Sequence, residues 1–241
     1  MKAKLLGAIA SLALLAGASS ARAAIVEVTY YGVVTGDSDL TGIFGPAGGN
    51  DNLVGSAFQI TYRFDTAEGH TYSSPTQNFA IGGSIYSVPS PSLGATVKVG
   101  AITGPAIAGS YDGLIYGSND PSAPIGNQAH YAEDFNSTAD GFNDAYANSS
   151  VYNDSGVSTI PASINTPFAY TPQPGDVLTL SAGYSSFDNA AAGYSIDTYI
   201  KGDITSITET VAPGPIPGAG LVGLAGLVLA GGLARARAAR G

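Results

Sequence analysis

Cysteine and tryptophan are both missing from the 241 residues, and the chain has only two histidines. Without cysteine there can be no disulfide, no thiolate metal ligand and no thiol nucleophile, so the stability of the protein must come from packing. His70 and His130 are the only imidazoles, and neither lies in a recognisable motif. A zinc site or a histidine-based catalytic centre is therefore not expected, and each histidine is better explained as a loop or core residue.

Positive charge is also scarce. Nine Lys and Arg stand against 18 Asp and Glu, and only Arg63, Lys98 and Lys201 lie in the middle of the chain, where all the acidic residues are found. The formal charge of that middle region is 3 − 18, or −15. Such a body repels nucleic acid, because binding to phosphates needs clustered Lys and Arg. It can instead stay soluble through self-repulsion or attract divalent cations.

The N-terminus has the three parts of a secretory signal peptide. Lys2 and Lys4 precede an apolar run from Leu5 to Ala16, and the small residues that follow end in Ala21-Arg22-Ala23. A charged start, a short apolar middle and an Ala-x-Ala end are typical of a segment that signal peptidase removes. We expect residues 1–23 to be cleaved off after Ala23 and the protein to be exported; a buried N-terminal helix is the alternative.

Residues 24–211 have the pattern of an all-β extracellular domain. Ala57–Asp65 alternates strictly between apolar and polar residues, which is typical of a half-buried strand. Ile25–Val34 is rich in β-branched and aromatic residues. Weaker strands are expected at Ser84–Val88, Ala95–Val99, Tyr111–Tyr116, Val177–Ala182, Tyr194–Ile200 and Thr205–Val211. Many short strands between turn-forming clusters, with no helical periodicity, predict an antiparallel β-sandwich or jelly roll.

The stretch from Gly117 to Pro174 is poor in large aliphatic residues and rich in Asn, Asp, Ser, Ala and Tyr. We expect long loops there, with short strands near His130-Tyr131 and Ser150-Val151-Tyr152. A structureless loop of that length is unusual inside a domain, so more strand is expected to be hidden in this stretch.

The densest group of oxygen ligands runs from Glu133 to Asp144 within that stretch. Calcium binds roughly six to eight oxygens supplied by a flexible loop. The candidate ligands are Asp134, Asn136, Asp140 and Asp144. Ala139 stands where the calcium loop of an EF-hand needs glycine, and the terminal glutamate is missing. The segment is therefore either a weak calcium site or a solvated acidic loop.

The C-terminal residues 212–241 have the composition of a membrane segment. Pro213-Gly214-Pro215-Ile216-Pro217 interrupts secondary structure. Gly218–Ala234 then runs without a charge and approaches the ~20 residues that a membrane-crossing helix needs. Positive charges at Arg235, Arg237 and Arg240 end the chain and would hold the C-terminus in the cytoplasm. We expect one transmembrane helix here; a buried core helix is the alternative.

This ending resembles the PEP-CTERM sorting signals of Gram-negative bacteria, which combine a Pro-containing motif, an apolar helix and terminal arginines. It is similar to the Pro-Gly-Pro-Ile variant, with Gly214 where the commoner motif has Glu. Thr41-Gly42-Ile43-Phe44-Gly45 and Phe58–Thr66 also look like a segment common in uncharacterised members of that family.

The resemblance implies a β-rich surface domain that associates with exopolysaccharide and biofilm. It also implies that an exosortase, an integral-membrane cysteine protease, recognises and processes the tail. The protein would then be anchored in the inner membrane during sorting and reach the cell surface or the extracellular space afterwards. The resemblance implies no catalytic residue.

Gly36-Asp37-Ser38-Asp39-Leu40 resembles the nucleophile block of GDSL-type esterases, although those enzymes carry an aliphatic residue where Asp39 stands. Their partner histidine lies near the C-terminus, whereas the last histidine here is His130. A serine without a base is a poor nucleophile, so a polar turn is the better interpretation.

Fourteen tyrosines can act as stacking platforms for sugars or as ordinary cross-strand packing. The carboxylate pair of a glycoside hydrolase cannot be recognised in a sequence, because the separation it requires is spatial. The leading hypothesis is a non-enzymatic surface or matrix protein that binds or is embedded in extracellular polysaccharide, with calcium as its only candidate cofactor. The alternative is a secreted glycan hydrolase, which a pair of buried acids in a cleft would favour.

Overall fold

The strict alternation at Ala57–Asp65 predicts a strand, and the computed structural model of the protein has a strand with those bounds. The structure describes residues 24–46, 52–120, 128–137, 143–153, 160–189 and 194–213. Within these ranges the chain forms twelve strands and one short 3-10 helix at Ser84–Tyr86, and no α-helix occurs in them. The predicted all-β class is confirmed.

The strands are numbered in chain order. They are β1 (Ala24–Asp39), β2 (Ala57–Asp65), β3 (His70–Ser73), β4 (Gln77–Gly82), β5 (Ser92–Val99), β6 (Ile102–Thr103), β7 (Asp112–Asn119), β8 (Gln128–Ser137), β9 (Asn143–Asn153), β10 (Phe168–Tyr170), β11 (Val177–Asn189) and β12 (Tyr194–Pro213).

All twelve strands belong to one antiparallel sheet. Its order is β3-β4-β7-β8-β9-β11-β12-β1-β2-β5-β6, and β10 pairs with β12 outside that path. The sheet curls over, so that β2 packs against β8 and β5 packs against β7 and β8 without hydrogen-bonding to them. Twisted sheets of more than about ten strands tend to curl or split. The layers of the predicted sandwich are therefore two halves of a single sheet.

The core lies inside this curl. Phe58, Ile60, Tyr62 and Phe64 of β2 are at most 1% exposed, so the apolar face predicted for this strand is the buried one. The facing strand β8 buries mostly polar or small side chains instead. They are Gln128, His130, Ala132 and Asp134. The core is thus apolar on the side of β1 and β2 and partly polar on the side of β8.

The stretch from Gly117 to Pro174 contains two long strands, β8 and β9, which pair along their length. The expectation of hidden strand is confirmed, but the short strands predicted near His130 and Ser150 are only parts of β8 and β9. These strands give a weak sequence signal because their inward apolar residues are mostly small, as at Ala132 and Ala147.

Three predicted strands differ from the structure in detail. Ser84–Val88 is a 3-10 turn followed by Ser87 in the left-handed region, with φ 57°; the strand in this region is β4, which ends just before it. The two strands predicted at Tyr194–Ile200 and Thr205–Val211 are one strand, β12. Up to Ile204 its buried residues have even numbers, and from Ile207 onwards they have odd numbers. One extra residue inserted in a strand, a β-bulge, has this effect.

Several predicted segments lie outside the described residues. They are the signal peptide at residues 1–23, including Ala21 and Ala23, the motif residues Gly214, Pro215, Ile216 and Pro217, the apolar run 218–234, and Arg235, Arg237 and Arg240. Pro213 is described and ends β12. In the described ranges, no helix has the length and apolar content that a membrane crossing needs.

Candidate functional site

The outward face of the sheet carries a row of aromatic side chains that runs across the strands. Cross-strand pairing aligns Tyr72 of β3 with Phe79 of β4, Phe79 with Tyr116 of β7, and Tyr116 with Tyr131 of β8. Their neighbours along β4, β7 and β8 are buried, so these four rings face outward. The rings of Tyr72 and Phe79 stack with centroids 5.6 Å apart. We call these four residues the aromatic row.

A groove of about 360 Å³ lies where the aromatic row meets β9. It is lined by Leu114, Tyr116, Ala129, Tyr131, Ser150, Val151 and Tyr152. The register of β8 and β9 places Tyr131 opposite Ser150 and Tyr152 opposite Ala129. Each of these two tyrosines therefore stands beside a small residue, which leaves space between the rings. The volume lies at the lower end of the range for small-molecule sites. We call this the tyrosine groove.

Hydrogen bonds fix the rings of Tyr131 and Tyr116 in the groove. The Asn148 Nδ2 donates to the Tyr131 hydroxyl over 2.7 Å, and that hydroxyl donates to the Glu133 carboxylate. The Gln77 Nε2 donates to the Tyr116 hydroxyl over 3.2 Å. Side chains held in this way lose less conformational entropy when a ligand binds. Two of the three tyrosine rings are therefore positioned before any ligand arrives.

Two acidic side chains lie at the edge of the tyrosine groove. Burial raises the pKa of Glu133, the hydrogen bond from Tyr131 partly lowers it, and the charge of Asp112 raises it. Burial also raises the pKa of Asp112. Asp112 pairs with Phe135 and Glu133 with Leu114, so the two acids are diagonal neighbours on the outward face. Burial therefore makes ionisation of both carboxyl groups less favourable than it is in water.

A second groove, of about 330 Å³, lies on the outward side of β11 and β12. It is lined by Thr35, Leu178, Thr179, Leu180, Ser181, Tyr199, Lys201, Gly202 and Asp203. Four of its six polar side chains carry hydroxyl groups, and the other two are one cation and one carboxylate. The stem of Lys201 lies over Gly36, where an added Cβ would come within 2.4 Å of the Lys201 Cε. We call this the polar groove.

The candidate calcium ligands do not meet at one point in the described part of the chain. Asp134 faces the core on β8 and is fully buried, whereas Asp144 lies at an outward position of β9. Asn136 accepts a hydrogen bond from the Ser110 hydroxyl over 2.8 Å, and Asp140 lies outside the described residues. The prediction of an acidic loop is wrong for the described part of this segment. Glu133 to Ser137 belong to β8, and Asn143 and Asp144 belong to β9. Among the described residues no group of three or more His, Cys, Asp or Glu could hold a metal.

His130 belongs to a buried chain of three polar groups that the sequence did not reveal. Its Nδ1 lies 2.6 Å from the Tyr30 hydroxyl, and its Nε2 lies 3.2 Å from the Glu209 Oε2. Burial raises the pKa of Tyr30 well above its ordinary value, so the hydroxyl keeps its proton and can donate to His130 or accept from it, according to the tautomer of the imidazole. All three side chains are enclosed in the core, so the chain ties β1, β8 and β12 together and faces no substrate. His70, in contrast, is exposed at the start of β3.

The GDSL-like block occupies the end of β1 and the turn after it. The carboxylate of Asp39 is buried and accepts hydrogen bonds from the backbone N–H groups of Ile43 and Phe44, over 2.9 and 2.7 Å. It also accepts one from the Thr198 hydroxyl, over 2.6 Å. The residue that departs from the esterase pattern therefore closes this turn, in keeping with the structural interpretation of the block.

Comparisons of the chain with protein-family models, with curated proteins and with solved structures find no match.

Proposed function

We propose that this protein is a non-enzymatic surface or matrix protein that binds a polysaccharide chain in the tyrosine groove. The observation that carries this proposal is the arrangement of Tyr116, Tyr131 and Tyr152 around the small residues Ala129 and Ser150. A sugar ring has apolar C–H faces and a polar edge of hydroxyl groups. Tyrosine offers the matching combination of an apolar ring and a polar tip.

The polar groups around the rings support the same ligand class. Asn148 and Glu133 both bond to the Tyr131 hydroxyl, and each has remaining capacity to bond a sugar hydroxyl. Few, well-placed polar groups beside apolar walls are typical of small-molecule sites.

The charge of the body favours an uncharged glycan. Its 18 acidic and three basic residues between the signal peptide and the tail would repel a polyanionic chain. A neutral polysaccharide meets no such barrier.

The proposal includes export. Residues 1–23 would be removed by signal peptidase, and residues 212–241 would hold the protein in the inner membrane as a transmembrane helix until an exosortase-like protease releases it. The mature protein would then work at the cell surface or in the extracellular matrix, without nucleic acid as a partner. These steps rest on the sequence segments alone.

Glycan hydrolysis is a second candidate function, and one observation favours it. Asp112 and Glu133 are a pair of partly buried acids on the face that carries the tyrosine groove. A hydrolase, however, needs one protonated acid and one ionised carboxylate, with pKa values pushed apart. Burial raises both pKa values here, and neither acid lines the groove. Binding without hydrolysis is therefore the better-supported function.

The test is a binding screen of the purified protein against a panel of neutral, acidic and amino-sugar polysaccharides. We expect a neutral polymer to bind, with a change in tyrosine fluorescence that no tryptophan obscures, and with no release of reducing ends. Tyr131→Ala should weaken binding tenfold or more, about 1.4 kcal/mol.

Tyr31→Ala is the matched control, because Tyr31 is also partly exposed but lies on β1 and lines neither groove. Equal effects of the two substitutions, or no binding to any polymer of the panel, would remove the tyrosine groove as a glycan site. If the wild-type protein releases reducing ends and Glu133→Gln does not, the function is hydrolysis of the glycan and not binding alone.

A further inference from the structure

We infer that the tyrosine groove and the polar groove form one continuous track, in which a single extended chain of neutral sugars lies across the strands. This inference rests on the proposed function of the tyrosine groove. It adds a second subsite and specifies the ligand as a polymer that spans several sugar units.

The strand register makes the two grooves adjacent. Ser150 of the tyrosine groove pairs directly with Thr179 of the polar groove, across β9 and β11. Tyr131 pairs with Ser150 on the other side, and Tyr116 pairs with Tyr131. The line from Tyr116 to Thr179 therefore crosses four neighbouring strands, about 14 Å at a strand spacing of about 4.8 Å. No strand separates one groove from the other.

A second line of residues, all polar, runs beside the first. Glu133 pairs with Asn148, Asn148 with Ser181, and Ser181 with Lys201. These groups lie two positions along each strand from the first line, so they also face outward. A sugar chain placed across the strands would have aromatic rings beneath its first units and, from β8 onwards, hydrogen-bonding groups along one edge.

The side chains of the polar groove match an uncharged, hydroxyl-rich ligand. Lys201 and Asp203 bring one charge of each sign, and Thr35, Thr179 and Ser181 bring hydroxyl groups that can both donate and accept. The strongly acidic body around the groove disfavours a ligand with carboxylate or sulfate groups. The chemistry of the second subsite therefore agrees with that of the first.

A continuous track makes binding depend on chain length. A short oligosaccharide fills only the tyrosine groove, whereas a longer one also reaches Thr179 and Lys201. Because both subsites then hold one molecule, the second contact forms at a high effective concentration. Affinity should rise with length until the chain spans both grooves and then level off.

The experiment uses the purified full protein and the neutral polymer that binds best in a screen of α- and β-linked hexose polymers. Its oligosaccharides of increasing length are titrated by calorimetry against wild type, Thr179→Val and Lys201→Met. The first substitution removes a hydroxyl, and the second removes a charge while keeping the stem over Gly36. We expect both variants to bind the shortest ligand as wild type does and the long ligands roughly five- to tenfold more weakly, the size of one lost hydrogen bond.

Lys98→Met is the control, because Lys98 is an exposed lysine of β5 that lines neither groove. Three results would overturn the track while the tyrosine groove stands. The first is an affinity that does not depend on ligand length. The others are variants that bind short and long ligands equally weakly, and an effect of Lys98→Met on affinity equal to that of Lys201→Met. Absence of binding to every polymer would overturn the proposed function, and the track with it.

Discussion

The Tyr30 hydroxyl and the His130 Nδ1 lie 2.6 Å apart in the core, although 100 positions separate the two residues in the chain. This contact joins β1 to β8, which are not neighbours in the sheet. It is therefore one of the bonds that hold the curled sheet closed on itself.

Removing this hydroxyl should destabilise the fold. In Tyr30→Phe the His130 Nδ1 loses its only observed hydrogen-bond partner among the described residues, and a buried polar group without a partner costs about 1–3 kcal/mol. We expect the free energy of unfolding in urea to fall by that amount. Tyr31→Phe is the control, because Tyr31 is the next residue and is 38% exposed. Equal stability of the two variants would show that the Tyr30 hydroxyl contributes nothing.

Asp39 offers a second test of a buried contact. Asp39→Ala removes an acceptor used by two backbone N–H groups and by the Thr198 hydroxyl. Because hydrogen bonds to a charged acceptor contribute about 1.5–3 kcal/mol each, we expect a loss of several kcal/mol and an opened turn after β1. Asp37→Ala, two residues away and only half-buried, should change the unfolding free energy little. Greater loss in Asp37→Ala would contradict the role given to Asp39.

The sequence predicted a strand best where the strand's own inward residues are all large and apolar. Ala57–Asp65 has its predicted bounds because each of its inward residues is large and apolar. Only a short part of β8, near His130-Tyr131, was predicted, because its inward face carries Gln128, His130 and Asp134 and so shows no alternation of hydrophobicity. β12 was divided in two because its alternation changes phase after Ile204.

The sequence predicted the type of residue in the candidate site, but not which residues form it. The number of tyrosines suggested a stacking platform, but Tyr116, Tyr131 and Tyr152 come from three strands and meet only through the pairing of β7, β8 and β9. The same limit applies to His130 and Glu209, which lie 79 positions apart. The pairing of strands that lie far apart in the chain leaves no local pattern in a sequence.

The predicted signal peptide and C-terminal sorting segment can be tested by finding where the chain is cleaved in the cell. We expect mass spectrometry of the secreted protein to find Ala24 as its N-terminus, because Ala21-Arg22-Ala23 is an Ala-x-Ala site.

A chain that ends at Ala212 should be secreted and soluble with the same β-type circular dichroism, because it keeps all but the last residue of β12. Aggregation of that shortened chain would mean that the tail belongs to the core, and uncut full-length protein in the inner membrane would contradict release by an exosortase.

The pH dependence of stability should reflect Asp134, whose side chain is enclosed between the two halves of the sheet. Burial raises the pKa of Asp134 well above its ordinary value; the Ser92 hydroxyl partly lowers it, and the charges of Glu133 and Asp112 raise it. The folded protein therefore holds this proton at pH values at which the unfolded chain has released it. Because the folded state then binds more protons, stability falls as the pH rises from the ordinary pKa of an aspartate towards the raised one, by at most about 1.4 kcal/mol per pH unit for one proton.

Asp134→Asn removes this titration while keeping the shape of the side chain. We expect the variant to lose less stability than wild type between about pH 4 and neutral pH, where an unfolded aspartate is ionised, so that its relative stability increases with pH. Glu209, Glu133 and Asp112, whose pKa values burial also raises, remain in the variant, so part of the slope should persist. Asp203→Asn, at an exposed position of β12, should keep the wild-type slope. Urea unfolding at a series of pH values measures all three proteins, and identical slopes for Asp134→Asn and wild type would show that Asp134 is ionised in the folded core.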